Sequence, residues 1–208
     1  MVGFGQRRAT LDFRINLGAA LLGMTRTHYV NVTGLPERKR PDNRSCARDQ
    51  ALLAREIVLR RPGVRAWTRL TETEFRPGLR LHCTNALLKR CPGVDGLKTG
   101  YHGQAHYNLV ATAERDGRRL IAVVLGSPSA GMRNRVTMRL LERGFQDWQL
   151  VTGLRAGEGF GAEFPVAGGW RATVPVLAAQ TLQFTVTPQQ AARVRIQLAP
   201  GARLAAPL

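Results

Sequence analysis

Lysine is scarce in this 208-residue chain: Lys39, Lys89 and Lys98 stand among 31 basic residues, and the rest are arginines scattered from Arg7 to Arg203. The formal net charge of +17 is therefore carried without any block of five or six like charges. Such an even scatter fits a coding bias toward arginine better than a stripe built for phosphates. Aromatic residues are also few, at 6%, too few for a platform on which single-stranded bases stack. Nucleic acid is not an expected partner. Cysteine appears three times (Cys46, Cys83, Cys91), with no C-x-x-C and no histidine pair at metal-ligand spacing, so no metal and no cofactor are expected. Either all three thiols are free, or one bridge joins Cys83 to Cys91. No apolar run approaches the roughly 18 residues of a membrane span. The leading MVGFGQRRATLDFRIN has no apolar h-region and no cleavage site, and so does not read as a secretory signal.

What is present describes a globular chain, 44% hydrophobic, long enough for one good-sized domain and a small satellite. Residues 13–24 place apolar side chains at helical spacing. A polar loop with Gly34, Pro36 and Pro41 follows. Ser45 then reads as the N-cap of a helix over 46–61, with Ala51, Leu52, Ala54, Ile57 and Val58 as its buried stripe and Pro62-Gly63 as its stop. Short strands are expected at 70–75 and 79–84 around Arg76-Pro77-Gly78, then a helical turn at 85–90. Residues 104–114 and 118–126 flank Asp116-Gly117, a strong hairpin signal. The run 120-LIAVVLG-126 does not alternate and is expected to be a central strand covered on both faces. Ser129 reads as the cap of a helix to about Arg143, with Gly144 as its stop. Beyond Trp148 only short β-prone runs remain, at 163–166, 171–177, 181–186 and 193–198. The expected architecture is α+β: residues 1–148 as helices packed on an antiparallel sheet, and residues 149–208 as a small, incomplete all-β domain. No internal repeat is visible.

The stretch 93-GVDGLKTGYHGQAHYNLVATAERDGRRLIAVVLG-126, with 133-RNRVTMRLLERGF-145 after it, resembles the penicillin-binding D-alanyl-D-alanine carboxypeptidases. So do 22-LGMTRTHYVNVTGLP-36, 45-SCARDQALLARE-56 and 85-NALL-88, in that family's order and spacing. K-T-G is one of the three motifs known for penicillin-binding proteins. The resemblance implies a partial β-lactamase/transpeptidase-like domain. It also implies a peptidoglycan stem peptide ending in D-Ala-D-Ala as ligand, β-lactams as ligands of the full-length enzymes, and a periplasmic or cell-envelope location. By the same resemblance the K-T-G strand is a sheet edge lining the cleft, where a peptide can add as a further strand. Lys98 and Thr99 then meet the ligand carboxylate, Gly100 keeps bulk away, the Tyr101 N–H is an oxyanion-hole donor, and Arg133 lies near the cleft rim or in a helix-surface ion pair. Asp95 and Gly96 read as turn and packing residues. Asn31, Gly34, Arg48 and Asp49 fit the family pattern but are explained equally by loop hydrogen bonds and helix surface. His102 and His106 depart from it, standing where the family has a small or hydroxyl residue and a glycine, and 83-CTN-85 departs too.

The family's nucleophile and base stand one helical turn apart in S-x-x-K. No serine here has that partner: three residues after Ser45, Ser127 and Ser129 stand Arg48, Ala130 and Met132. S-x-N is absent as well. No catalytic residue is therefore expected in this chain, which reads as lacking the N-terminal, nucleophile-bearing part of the domain and as inactive alone. A non-catalytic binder of stem peptides or of a partner enzyme is the alternative, and a basic nucleic-acid binder ranks last.

Overall fold

The computed structural model describes residues 4–35, 41–167, 171–191, 193 and 204–205. The chain divides into two compact units, Met1–Gly144 and Phe145–Leu208.

The first unit is organised by a three-stranded antiparallel sheet of β3 (Val94–His102), β4 (His106–Arg115) and β5 (Arg118–Ser127), in that order. The hairpin between β4 and β5 turns at Asp116 and Gly117, with φ of 48° and 73°. Two consecutive residues of positive φ give the primed turn whose twist matches the strands, as the Asp-Gly pair predicts. The expected central strand is a correction. β4, not β5, lies in the middle, with Leu109, Ala111, Thr112 and Ala113 fully buried, and among the described residues β5 pairs only with β4. An unbroken apolar run signals cover on both faces but does not reveal which strand has two neighbours.

Alternation assigns the faces. A Cβ on Gly96 would meet Thr68 and the methyl of Thr112, so helix α3 (Val64–Thr68) packs on the Thr112 face. A Cβ on Gly144 would lie 2.8 Å from Leu120 Cδ1, and Leu120 pairs with Ala113 on the opposite face. Helix α4 (Ala130–Asp147) therefore covers the second face. Gly144 does not stop α4, as the sequence suggested; it lies inside the helix because the sheet comes too close for a side chain. Ser129 does cap α4, its hydroxyl accepting from the Met132 N–H at 3.1 Å.

Helix α2 (Ala47–Arg60) lies chiefly against β5 and buries Ala54 and Val58, one helical turn apart, while Ala51, Leu52 and Ile57 are half-buried. Its N-cap is Cys46, without a side-chain cap bond. Ser45 instead packs its hydroxyl against Thr27 and accepts from Gln50 Nε2, each at 2.8 Å. Pro62-Gly63 ends α2 as expected, yet α3, which composition did not suggest, forms at once after it. Helix α1 (Phe4–Leu21) starts earlier than the periodic stretch 13–24 and leaves Leu11, Phe13, Leu17 and Leu21 exposed. Strands β1 (Glu72–Arg76) and β2 (Leu79–His82) make an exposed hairpin, and a 3-10 turn covers Ala86–Lys89.

The second unit is mostly β among its described residues. β6 (Gln149–Leu154) pairs with β9 (Leu182–Val186), and β7 (Gly159–Ala167) lies between β8 (Thr173–Leu177) and β10 (Leu204–Ala205). A four-residue helix, α5 (Pro188–Ala191), also occurs. β6 was not anticipated, and most of the strand expected at 193–198 lies outside the described residues.

Candidate functional site

Among the described residues β3 is an outer strand of its sheet, and two carbonyls near its start are taken up by its own chain. Near its start, Thr68 Oγ1 donates to the Asp95 carbonyl at 2.7 Å, and Asn85 Nδ2 approaches the Gly96 carbonyl at 3.5 Å. Asp95 is further held by Arg119 Nη1 at 2.9 Å, and Arg119 also donates to Thr112 and Glu114. Burial opposes the charge of Arg119, but hydrogen bonds from it to Asp95 and Glu114 raise its pKa. Asp95 and Gly96 are thus packing residues, as their sequence context suggested.

Further along the strand, Lys98, Gly100 and Tyr101 are exposed and Thr99 is half-buried. Lys98, Thr99 and Gly100 line an open groove of about 840 Å³. Its other walls come from the loop before α2 and the start of that helix (Asn43, Arg44, Ser45, Gln50), from Arg26, and from β4 and β5 (Asn108, Val110, Leu125). The Lys98 ammonium folds onto the Thr99 carbonyl. The Thr99 hydroxyl meets the Thr84 hydroxyl at 2.5 Å. Tyr101 does not line the groove; its ring lies against Tyr107, with centroids 4.6 Å apart. One ammonium, the Thr99 hydroxyl, and Arg26 and Arg44 at the walls can hold an anionic group at the end of an extended ligand.

Arg133 is placed differently from Lys98. It is 5% exposed and does not line the groove. Its guanidinium donates to Asn134 Oδ1 at 3.0 and 3.1 Å and reaches the Asn108 carbonyl at 3.4 Å. Burial lowers its pKa, against a smaller opposing effect of Tyr107. Asn108 in turn accepts from the Gly126 N–H at 2.9 Å and donates to the carbonyls of Ala105 and His106. Arg133 and Asn108 together fix the corner where β4 begins and β5 ends.

The remaining motif residues serve the fold. Asn31 accepts from Thr33 and Gly34 and donates to Leu35, closing its own loop. Asp49 is buried and accepts from the Arg26 N–H at 2.8 Å and the Thr27 hydroxyl at 2.7 Å. Burial acts against its charge, but these hydrogen bonds, with Arg48 and Cys46 nearby, hold its carboxyl below the usual range. All three cysteines are free: Cys46 half-buried, Cys83 exposed and Cys91 buried. His106 takes φ 52°, a left-handed conformation that suits glycine. Thr84, Asn108 and Gln50 were not anticipated at the site. Thr84 was noticed only as a departure from a family pattern, and no periodicity singles out the other two.

The family model for D-alanyl-D-alanine carboxypeptidase matches residues 14–129. The D-alanyl-D-alanine carboxypeptidase DacF of Bacillus subtilis is 36% identical over 140 residues, covering 65% of this chain and 35% of that protein. Penicillin binding protein 5 from Haemophilus influenzae superposes with a TM-score of 0.73 at 30% identity, over 94% of this chain and 56% of its own. Penicillin-Binding Protein D2 from Listeria monocytogenes, solved in an ampicillin-bound form, superposes at 0.62 with 35% identity, over 66% of this chain and 56% of its own. The chain spans about a third of the length of the curated relatives it matches.

Proposed function

We propose a role that proceeds from family: this chain belongs to the D-alanyl-D-alanine carboxypeptidases, and its groove is the part of such an enzyme that grips the C-terminal carboxylate of a peptidoglycan stem peptide. The observation that carries this reading is the exposed stretch Lys98–Gly100, at the outer strand of the sheet and on the groove wall. Lys98 supplies a point charge and Thr99 a hydroxyl donor to the carboxylate. Gly100 lets the ligand backbone approach, and the Tyr101 N–H is one oxyanion donor. Arg133 serves from outside the groove by holding Asn108. Residues 1–148 form part of the catalytic domain and 149–208 a small β-rich domain. The natural setting is the cell envelope, where stem peptides are trimmed.

The chemistry of this family is acyl transfer to a serine, and neither S-x-x-K nor S-x-N occurs in this chain. The chain alone therefore binds without turning over, since removing a nucleophile forfeits about 10⁶-fold in rate. Calorimetry with an N-acylated D-Ala-D-Ala peptide tests the reading. Binding that weakens roughly tenfold in Lys98→Ala, as loss of a charge-assisted hydrogen bond predicts, supports it. Equal heat from both proteins, or none, refutes it. Labelled penicillin should leave no covalent band after denaturation, and a surviving band would show a nucleophile in this chain.

A further inference from the structure

Thr99 does not stand alone in the groove wall. Its Oγ1 lies 2.5 Å from Thr84 Oγ1, on the segment that follows β2. We propose that Thr84 is a positioning residue for the ligand carboxylate: its hydroxyl donates to Thr99, which commits the Thr99 proton to the ligand. This inference rests on the function proposed above.

A hydroxyl has one proton to give and two lone pairs to offer. Were Thr99 to give its proton to Thr84, it would present only lone pairs to the groove and repel an anion. With the proton order reversed, Thr84 donates to Thr99 and Thr99 donates to the carboxylate, each bond polarising the next. An anionic ligand favours the second order, because only then does Thr99 present a proton to it. Thr84 is held for this task from both sides. The Cys83 N–H donates to the Thr71 carbonyl at 2.8 Å, and the Asn85 side chain accepts from the Leu87 N–H at 3.2 Å and reaches Gly96. Thr84 does not line the groove, so it acts on the ligand through Thr99.

The test is calorimetric titration of N-acetyl-D-Ala-D-Ala and of its C-terminal amide into the wild-type chain, Thr84→Val, Thr84→Ala and Thr84→Ser, with circular dichroism as a check on folding. The expected result is a loss of about five- to tenfold for the carboxylate in the valine and alanine variants, little change for the amide, and recovery in the serine variant. A wild type that prefers the carboxylate, with variants that match it on both ligands, overturns the relay and leaves the proposed function standing. Variants that lose equally on carboxylate and amide also overturn it, by showing a purely structural role. A wild type that binds neither ligand, or both equally, defeats the proposed function and the relay with it. Should Thr84→Val fail to fold, Thr84→Ala and Thr84→Ser decide between the same outcomes.

Discussion

Replacing Gly93 by alanine should damage this protein far more than replacing Gly117, although both glycines have nearly the same φ, +81° and +73°. Any L-residue held in that region costs about 1–2 kcal/mol, and both variants bear it. The surroundings differ. A Cβ on Gly117 meets nothing within 4 Å, whereas on Gly93 it would lie 2.4 Å from the Glu114 carbonyl oxygen and 3.0 Å from Arg115 Cγ. The first distance is about an ångström inside normal contact, and the obstacle is backbone, which no rotamer can move. Relief requires the start of β3 to separate from the end of β4. That movement strains the Glu114 N–H to Gly93 carbonyl bond of 2.9 Å, worth about 1 kcal/mol, and overpacking adds about 1–3 kcal/mol. Gly93→Ala should therefore exceed Gly117→Ala by about 2–4 kcal/mol. Urea unfolding followed by circular dichroism reads this as a further midpoint drop of about 0.7 M or more, for slopes of about 1–3 kcal/mol/M. Equal midpoints for the two variants would refute the steric argument and leave φ alone as the cause.

Two other outcomes follow from local chemistry. Arg115 grips Glu142 with both terminal nitrogens, at 2.8 and 2.6 Å. The guanidinium hydrogen bonds hold the Glu142 carboxyl below its ordinary range against a smaller effect of burial. A depressed carboxyl contributes above its unfolded pKa of about 4.3 and loses that contribution as pH falls through its folded value. Glu142→Gln should cost about 0.5–1 kcal/mol at pH 7, limited by the half-exposed carboxylate, and nothing once both forms are neutral in acid. A cost that persists unchanged at pH 2–3 would refute the ionic origin. A maleimide should label the exposed Cys83 first in the native protein and Cys91 only after denaturation, since burial raises the Cys91 pKa and shields the sulfur. Fast native labelling of Cys91, read by peptide mass, would contradict its burial.

The readability of the sequence varied with the range of the interactions concerned. The Asp116-Gly117 hairpin and the Ser129 cap rest on residues adjacent in sequence, and both form as local chemistry dictates. Gly144 is the opposite case: a glycine near the end of a helical stripe has the form of a stop signal, and only the Leu120 side chain on the facing strand shows why it sits inside the helix. His106 illustrates a third situation. It departs from a family glycine, and the left-handed φ at that corner explains the usual residue without suggesting a role for this one. In the site, the K-T-G stretch was legible because its motif is compact. Thr84 was not, because its only claim on the site is a contact with a residue fifteen positions away. The order of strands within the sheet was hidden for the same reason, since β5 is as apolar as a strand with two neighbours.

The side chains of Thr68 and Asn85 act as a stop on the outer strand. They occupy its carbonyls at Asp95 and Gly96, so an incoming extended chain has only Lys98 to about Tyr101 to run beside. At about 3.3 Å per residue that is roughly 13 Å, the reach of a few peptide units. An open margin so short favours the tip of a small oligopeptide over a long strand laid along β3.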